Sequence, residues 1–210
     1  TVFRVWAPTA ETVDVRIYDN GESTRYIDEF PMTKGDNGTW VTVLEGDWKG
    51  AYYTYRVNVN GEYVEACDPY ARTTGVNGKY AMVIDLDSTD PEGWENDVSP
   101  NSGMTYTDSI IYELHVRDLS INEESGIREE WRGKFLGLTQ KGTTNKDGVP
   151  TGLDHIKNLG VTHIHLLPSY DFGSIDESMS EEDKAANPEK QFNWGYDPVN
   201  YNVPEGSYST

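Results

Sequence analysis

The sequence predicts a multidomain chain: an all-β antiparallel sandwich, then the first β/α units of an unfinished parallel barrel. Three observations carry this. Four Asn-Gly pairs punctuate the first eighty residues, at Asn20-Gly21, Asn37-Gly38, Asn60-Gly61 and Asn77-Gly78. The runs between them alternate apolar and polar residues. Beyond residue 108 the order becomes strand, long loop, helix, glycine, strand. The expected division is a sandwich over 1–88, a linker over 89–107 and the opening of the barrel over 108–210.

The sandwich elements follow from period and turn chemistry. Asn-Gly supplies the positive φ angles of a two-residue hairpin turn. Val2-Phe3-Arg4-Val5-Trp6 opens the chain as a strand. Val13, Val15 and Ile17 share a face opposite Asp14 and Arg16. Trp40, Thr42 and Leu44 lie opposite Val41 and Val43, and Tyr53, Tyr55, Val57 and Val59 repeat the pattern. Short alternating strands at regular spacing argue for a sandwich. Trp6 is expected in the core and Trp48, within Gly46-Asp47-Trp48-Lys49-Gly50, at the surface. Asp87–Asp108 is rich in Asp, Ser, Pro, Gly and Asn and reads as an irregular crossing.

Ile110–Val116 is a short apolar strand. Thr151-Gly152-Leu153-Asp154 resembles a capping box opening a short helix, with Leu153, Ile156 and Leu159 on one face and Gly160 at its end. Val161–Leu167 is a buried strand stopped by Pro168. A βαβ unit implies a parallel sheet, and such sheets are covered on both faces. An eight-unit barrel takes roughly 250 residues. The chain therefore reads as a piece cut from something longer, beginning inside a strand pattern and ending before its fold is complete.

Composition narrows the function. The formal net charge is −19 over 210 residues, which disfavours phosphate backbones and anionic lipid, so no nucleic-acid or membrane partner is expected. No stretch is long and apolar enough to span a bilayer. The single cysteine, Cys67, excludes an internal disulfide. His115, His155, His163 and His165 read as satisfied core histidines. His163 and His165 are taken to point to opposite strand faces and so not to share a metal. Metal-binding, phosphate-loop, dinucleotide and serine-elbow motifs are absent from the sequence. Asp171, Asp176 and Glu177 form an acidic loop whose oxygens could serve calcium in a longer parent, but a charged surface loop is the better-supported reading. Glu181, Glu182 and Asp183 read as a solvated helical turn.

The segment Gln191–Tyr208 packs five aromatic rings with amides, carboxylates, glycines and prolines. Sugars present apolar ring faces with polar edges, so their sites pair aromatic platforms with amide and acid hydrogen-bonding groups. On chemistry alone, a sugar site and a packed loop remain equal readings.

Phe192-Asn193-Trp194-Gly195-Tyr196-Asp197-Pro198 resembles the Tyr-Asn-Trp-Gly-Tyr-Asp-Pro hallmark of type I pullulanases, in glycoside hydrolase family 13. Phe192 keeps the ring of the hallmark tyrosine and loses its hydroxyl. Tyr112–Asp118 and Gly160–Pro168 are similar to the first two barrel strands of those enzymes. Phe3–Thr9, Asp68–Ala71 and Val76–Gly78 resemble a family 48 carbohydrate-binding module. The resemblance implies an immunoglobulin-like sandwich joined to an incomplete (β/α)8 TIM barrel. It implies a parent that hydrolyses α-1,6-glucosidic branch points with retention of configuration.

Retaining glycosidases use two carboxyl groups about 5 Å apart. In this family the catalytic carboxylates come from later barrel strands, so no residue here is assigned a catalytic role, and the missing barrel portion is required for activity. The resemblance places Tyr196 against the sugar at the cleavage site, with Asn193, Trp194 and Asp197 shaping or supporting that pocket. The implied partners are α-glucans such as pullulan, branched starch or glycogen fragments, and a polysaccharide substrate favours an extracellular or cell-surface setting. No cofactor is implied for this chain. A non-catalytic α-glucan-binding or interaction module, and a related isoamylase or branching enzyme, are the rival readings.

Overall fold

In the computed structural model the backbone is described for residues 1–210 and the side chains for all but Glu181. The expected helical turn at Glu181 thus lies partly outside the described side chains; its neighbours Glu182 and Asp183 are exposed. The chain packs as two compact units. The first comprises Thr1–Asp90, Tyr170–Lys190 and Asp197–Pro204, and the second Pro91–Ser169, Gln191–Tyr196 and Glu205–Thr210.

The first unit is built on a β-sandwich. One sheet has the order β1-β5-β4, from Val2–Trp6 (β1), Thr33–Lys34 (β4) and Thr39–Val43 (β5). The other has the order β3-β2-β6-β7, from Thr12–Tyr18 (β2), Asp28–Pro31 (β3), Tyr52–Val59 (β6) and Glu62–Ala66 (β7), with Ala81–Met82 (β8) also pairing β6. All of these pairings are antiparallel. Alternation points Phe3, Val5, Val13, Val15, Ile17, Trp40, Tyr53 and Tyr55 into one core. Phe3 meets Tyr53 edge to face, with ring centroids 5.0 Å apart.

Asn60-Gly61 makes the expected two-residue hairpin, with φ of 54° and 81° joining β6 to β7. Asn37-Gly38 and Asn77-Gly78 also take positive φ. Asn20-Gly21 does not: it lies in the long connection from β2 to β3, where Gly21 backs onto Gly75 too closely for any Cβ. The two tryptophan expectations reverse. Trp6 is 59% exposed, because Phe3 and Val5 take the inward positions of β1. Trp48 packs against the core and meets Phe30 edge to face at 6.1 Å.

A two-stranded antiparallel ribbon, Tyr170–Phe172 (β11) with Pro198–Pro204 (β12), completes the first unit and sends Val203 into the sandwich core. The short helix α2 (Glu181–Ala186) is capped by Ser180, whose Oγ accepts from Asp183 N–H.

In the second unit, Ile111–Leu114 (β9) and His163–Leu166 (β10) pair in parallel, with α1 (Gly152–Asn158) between them in sequence. The expected capping box at α1 does not form. Thr151 Oγ1 donates to Ser125 C=O, and the Asp154 carboxylate accepts from Gly142 N–H, so both side chains tie down the preceding loop. Gly160, at φ 72°, ends the helix as expected.

Two expectations about β10 are corrected. It is exposed along its whole length: β9 is its one strand neighbour, and α1 leaves an open cleft beside Ile164 and Leu166. His163 and His165 share a face, since side chains two apart on a strand point the same way.

The crossing after β8 carries 3-10 turns at Leu86–Thr89, Trp94–Asn96 and Tyr106–Asp108. Thr105 and Asp108 form a capping box on the last of these, with Thr105 N–H donating to Asp108 Oδ2 at 2.9 Å.

Candidate carbohydrate site

In the second unit, Phe192–Tyr196 is held from three sides. The imidazole of His115 is buried, just past the end of β9. Its Nε2 lies 2.7 Å from the Asn193 carbonyl oxygen, an acceptor only, so Nε2 carries the proton and donates. Its Nδ1 then accepts from Asp118 N–H at 3.3 Å. The ring packs against Phe192 at 5.4 Å and edge-on to Tyr208 at 6.1 Å, and Tyr208 meets Phe135 at 5.5 Å.

The Asn193 side chain turns back on its own loop, where Oδ1 accepts from Gly195 N–H. Gly195 adopts φ 81°, and a Cβ there would sit 2.1 Å from Pro168 O, so only glycine fits. The outcome is a pinned backbone that turns two rings outward: Trp194 is 62% and Tyr196 66% exposed. Of the expected sugar-contacting residues, these two offer free ring faces, whereas Asn193 is engaged in shaping the loop.

Asp197 belongs to the first unit. It is exposed, accepts from Ser174 Oγ, and its carbonyl accepts from Gly173 N–H at 3.2 Å. The loop that cradles it is the acidic segment after β11. Asp171 is 2% exposed, and its carboxylate accepts from Asn200 Nδ2 at 2.6 Å. Asn200 also donates to Gly78 C=O at 3.1 Å. Asn77 N–H donates to Glu177 Oε2 at 2.6 Å, Asn77 Nδ2 to Asp176 Oδ1 at 2.9 Å, and Glu177 N–H returns a bond to Asn77 Oδ1 at 2.8 Å.

Burial raises the Asp171 carboxyl above its ordinary value, against the lowering effect of the Asn200 hydrogen bond. At the exposed Asp176, hydrogen bonds from Ser178 and Asn77 hold the carboxyl low. The acidic loop is therefore fastened to the Asn77-Gly78 turn rather than left as free surface charge. Sequence reading missed this because the partners lie about a hundred positions apart.

A family described as carbohydrate-binding module 48 (isoamylase N-terminal domain) matches residues 1–71. The pullulanase of Bacillus subtilis (strain 168) is 37% identical over 210 residues, covering 100% of this chain and 27% of its own length. Pullulanase 1, chloroplastic, of Arabidopsis thaliana is 36% identical over 239 residues, covering 98% of this chain and 24% of its own. Among solved structures, a pullulanase from Paenibacillus barengoltzii in complex with maltohexaose and alpha-cyclodextrin superposes with a TM-score of 0.91 at 52% identity, over 100% of this chain and 31% of that one. This chain thus spans about a quarter to a third of the length of these relatives. Residues 1–71 thus match the carbohydrate-binding module 48 family, within a chain that is similar to pullulanases from end to end.

Proposed function

We propose that this chain is part of a starch- and pullulan-debranching enzyme that hydrolyses α-1,6-glucosidic bonds with retention of configuration, and that it is inactive by itself. The observation that carries the reading is likeness to pullulanases along the whole chain, combined with a parallel strand pair whose apolar face is only partly covered. Leu114, Leu119, Leu138, Leu153, Ile156 and Ile164 border a cleft of about 230 Å³ on that face. In this reading 1–88 is the immunoglobulin-like module, 89–107 the linker, and 108–210 the first β/α units of a (β/α)8 barrel whose later strands supply the catalytic carboxylates.

Tyr196 and Trp194 then offer stacking platforms for an α-glucan, and Asn193 shapes the loop that carries them; Asp197 follows directly in sequence. The polysaccharide substrate favours action outside the cell or at its surface. No helix is long and apolar enough to cross a membrane among the described residues.

The test measures reducing-end release from pullulan by this 210-residue chain and by the same chain extended through the remaining barrel. Activity confined to the extended chain is expected. Activity in the short chain would sink the reading.

The rival non-catalytic glucan module draws support from the outward-facing Trp6. The Asn77 bonds to the acidic loop favour a bracing role for the sandwich instead. Pullulan binding by the extended chain without any hydrolysis would favour the rival.

A further inference from the structure

We infer that His115 is a positioning residue for sugar binding: through Nε2–H it fixes the main chain from which Trp194 and Tyr196 project. The inference rests on the reading of these two rings as glucan platforms.

The geometry specifies the histidine at every polar atom. The Asn193 carbonyl requires a donor at Nε2, and the Asp118 amide requires an acceptor at Nδ1. The Nε2–H tautomer meets both demands, and the Asp118 carboxylate, 3.6 Å from Nδ1, lies beyond hydrogen-bond reach. Tyr208 Oη, 3.2 Å from the same Nε2, adds a second acceptor for that proton. The ring is buried between Phe192, tilted against it at 5.4 Å, and Tyr208, edge-on at 6.1 Å.

Two residues beyond the fixed carbonyl, the only-glycine contact of Gly195 with Pro168 clamps the other end. Trp194 sits between these clamps and Tyr196 directly after them. Releasing the first clamp leaves both rings exposed but no longer held in one relative orientation. An ordered platform loses less entropy on binding a ligand, so its loss weakens binding without removing any contact atom.

Three variants separate the contributions, made in the full-length product of the gene that encodes this chain. His115→Phe keeps the ring packing and removes both hydrogen bonds. His115→Gln keeps a donor near the Nε2 position. Tyr208→Phe keeps the acceptor carbonyl as the sole partner of Nε2–H.

For His115→Phe, maltotriose affinity is expected to fall about tenfold and the KM for pullulan to rise with it, the size of effect that one net hydrogen bond carries. The turnover number should change much less, because the reacting groups are untouched. His115→Gln should recover affinity to within about threefold of the parent, and Tyr208→Phe should stay within about twofold. A purely structural role would lower the melting temperature and leave the KM of the folded enzyme where it was.

The second readout needs no sugar. In ¹⁵N-imidazole spectra of the 210-residue chain, the resonance that disappears in His115→Gln should carry the Nε2–H tautomer signature. An Nδ1–H signature, or an unchanged KM in His115→Phe, would overturn the inference. If the parent enzyme binds no glucan, the proposed function falls by that result. The tautomer, with the change in Trp194 fluorescence expected for His115→Phe, still decides whether His115 holds the loop.

Discussion

The sandwich and the parallel pair spend similar apolar residues to opposite ends. In the sandwich, Val13, Val15 and Ile17 of β2 face Phe3 and Val5 of β1 across a filled core, and Ile17 is 0% exposed. In the parallel pair, Ile111, Ile164 and Leu166 stand in solvent, and Ile164 is 45% exposed. Antiparallel sheets joined by hairpins bury one face against each other within a short stretch of chain. A parallel pair needs helices and further strands on both sides before its residues are removed from water. A β-strand sequence therefore marks a residue as meant for burial, and topology decides whether the partner is at hand.

The sharpest way to break that comparison is to truncate matched isoleucines. Ile17→Ala should cost about 3–4 kcal/mol, from lost burial plus a cavity that the packed sheets cannot collapse. Ile164→Ala should change the stability of the 210-residue chain by less than about 0.5 kcal/mol. Urea unfolding followed by circular dichroism measures both. Equal costs would mean that β10 is covered in solution.

A second contrast pits the fastened turn against the free one. At Gly78 a Cβ would lie 2.3 Å from Asp171 Oδ2 and 2.5 Å from Asn200 Nδ2, at a φ of 65°. At Gly61 the φ of 81° is similar, with no atom within 4 Å of the added carbon. Gly61→Ala should therefore cost about 1–2 kcal/mol of left-handed backbone strain alone. Gly78→Ala should cost about 2–3 kcal/mol, because it also breaks the buried Asn200 bridge. If the two variants melt together, the Gly78 network contributes nothing beyond its turn.

Much of the first region was legible in the sequence because hairpins are local. Period-two alternation and Asn60-Gly61 suffice to place β6, the inward face that carries Tyr53 and Tyr55, and the turn that follows it. The parallel pairing of β9 with β10 was legible too, since a strand, a helix and a strand admit few arrangements. The placing of Trp6 and Trp48 was not: Trp6 alternates out of register with Phe3 and Val5, a signal that was present, whereas Trp48 is half-buried against Phe30, which no local pattern announces. In the candidate site, the aromatic segment was visible as composition. The clamp on it was not, because His115 and Asn193 are 78 positions apart.

Two acids of the sandwich, the buried Asp68 and the exposed Glu65, should respond to pH in opposite senses. Burial raises the Asp68 carboxyl above its ordinary 3.8, although Tyr53 Oη and Tyr70 N–H donate to it. Burial also penalises Glu65, but hydrogen bonds from Tyr18, Thr54 and Arg16 outweigh it and hold that carboxyl below its ordinary 4.5. A raised folded value means that the native state binds the proton more tightly. The Asp68 contribution to stability therefore falls as pH rises from 3.8 through its folded value. A lowered value does the reverse, and the Glu65 contribution is lost as pH falls from 4.5 through its folded value. Asp68→Asn should flatten the decline on the alkaline side of 3.8, in part only, since Asp14 and Asp171 shift the same way. Glu65→Gln should reduce the decline on the acid side of 4.5, in part only, since Asp108 and Asp176 are lowered as well. Melting temperatures between about pH 3 and 6 check both, and unchanged profiles would mean that these carboxyls titrate alike in the folded and unfolded chains.

The smallest expected effect addresses what the sandwich is for. Trp6 is exposed and spends its Nε1–H on the Asn37 carbonyl at 3.0 Å, which lays the indole beside the Asn37-Gly38 turn. Trp6→Ala should lower stability by no more than about 1 kcal/mol, the worth of that one exposed hydrogen bond. Trp48→Ala removes packing against Phe30 and should cost more. A brace has no use for an exposed ring, whereas a glucan-binding module stacks sugar on one. Calorimetric titration of the 210-residue Trp6→Ala chain with maltohexaose separates the two roles. Affinity unchanged from the parent chain is the expected result, and a loss of tenfold or more would make the sandwich a binder in its own right, with Trp6 as its platform.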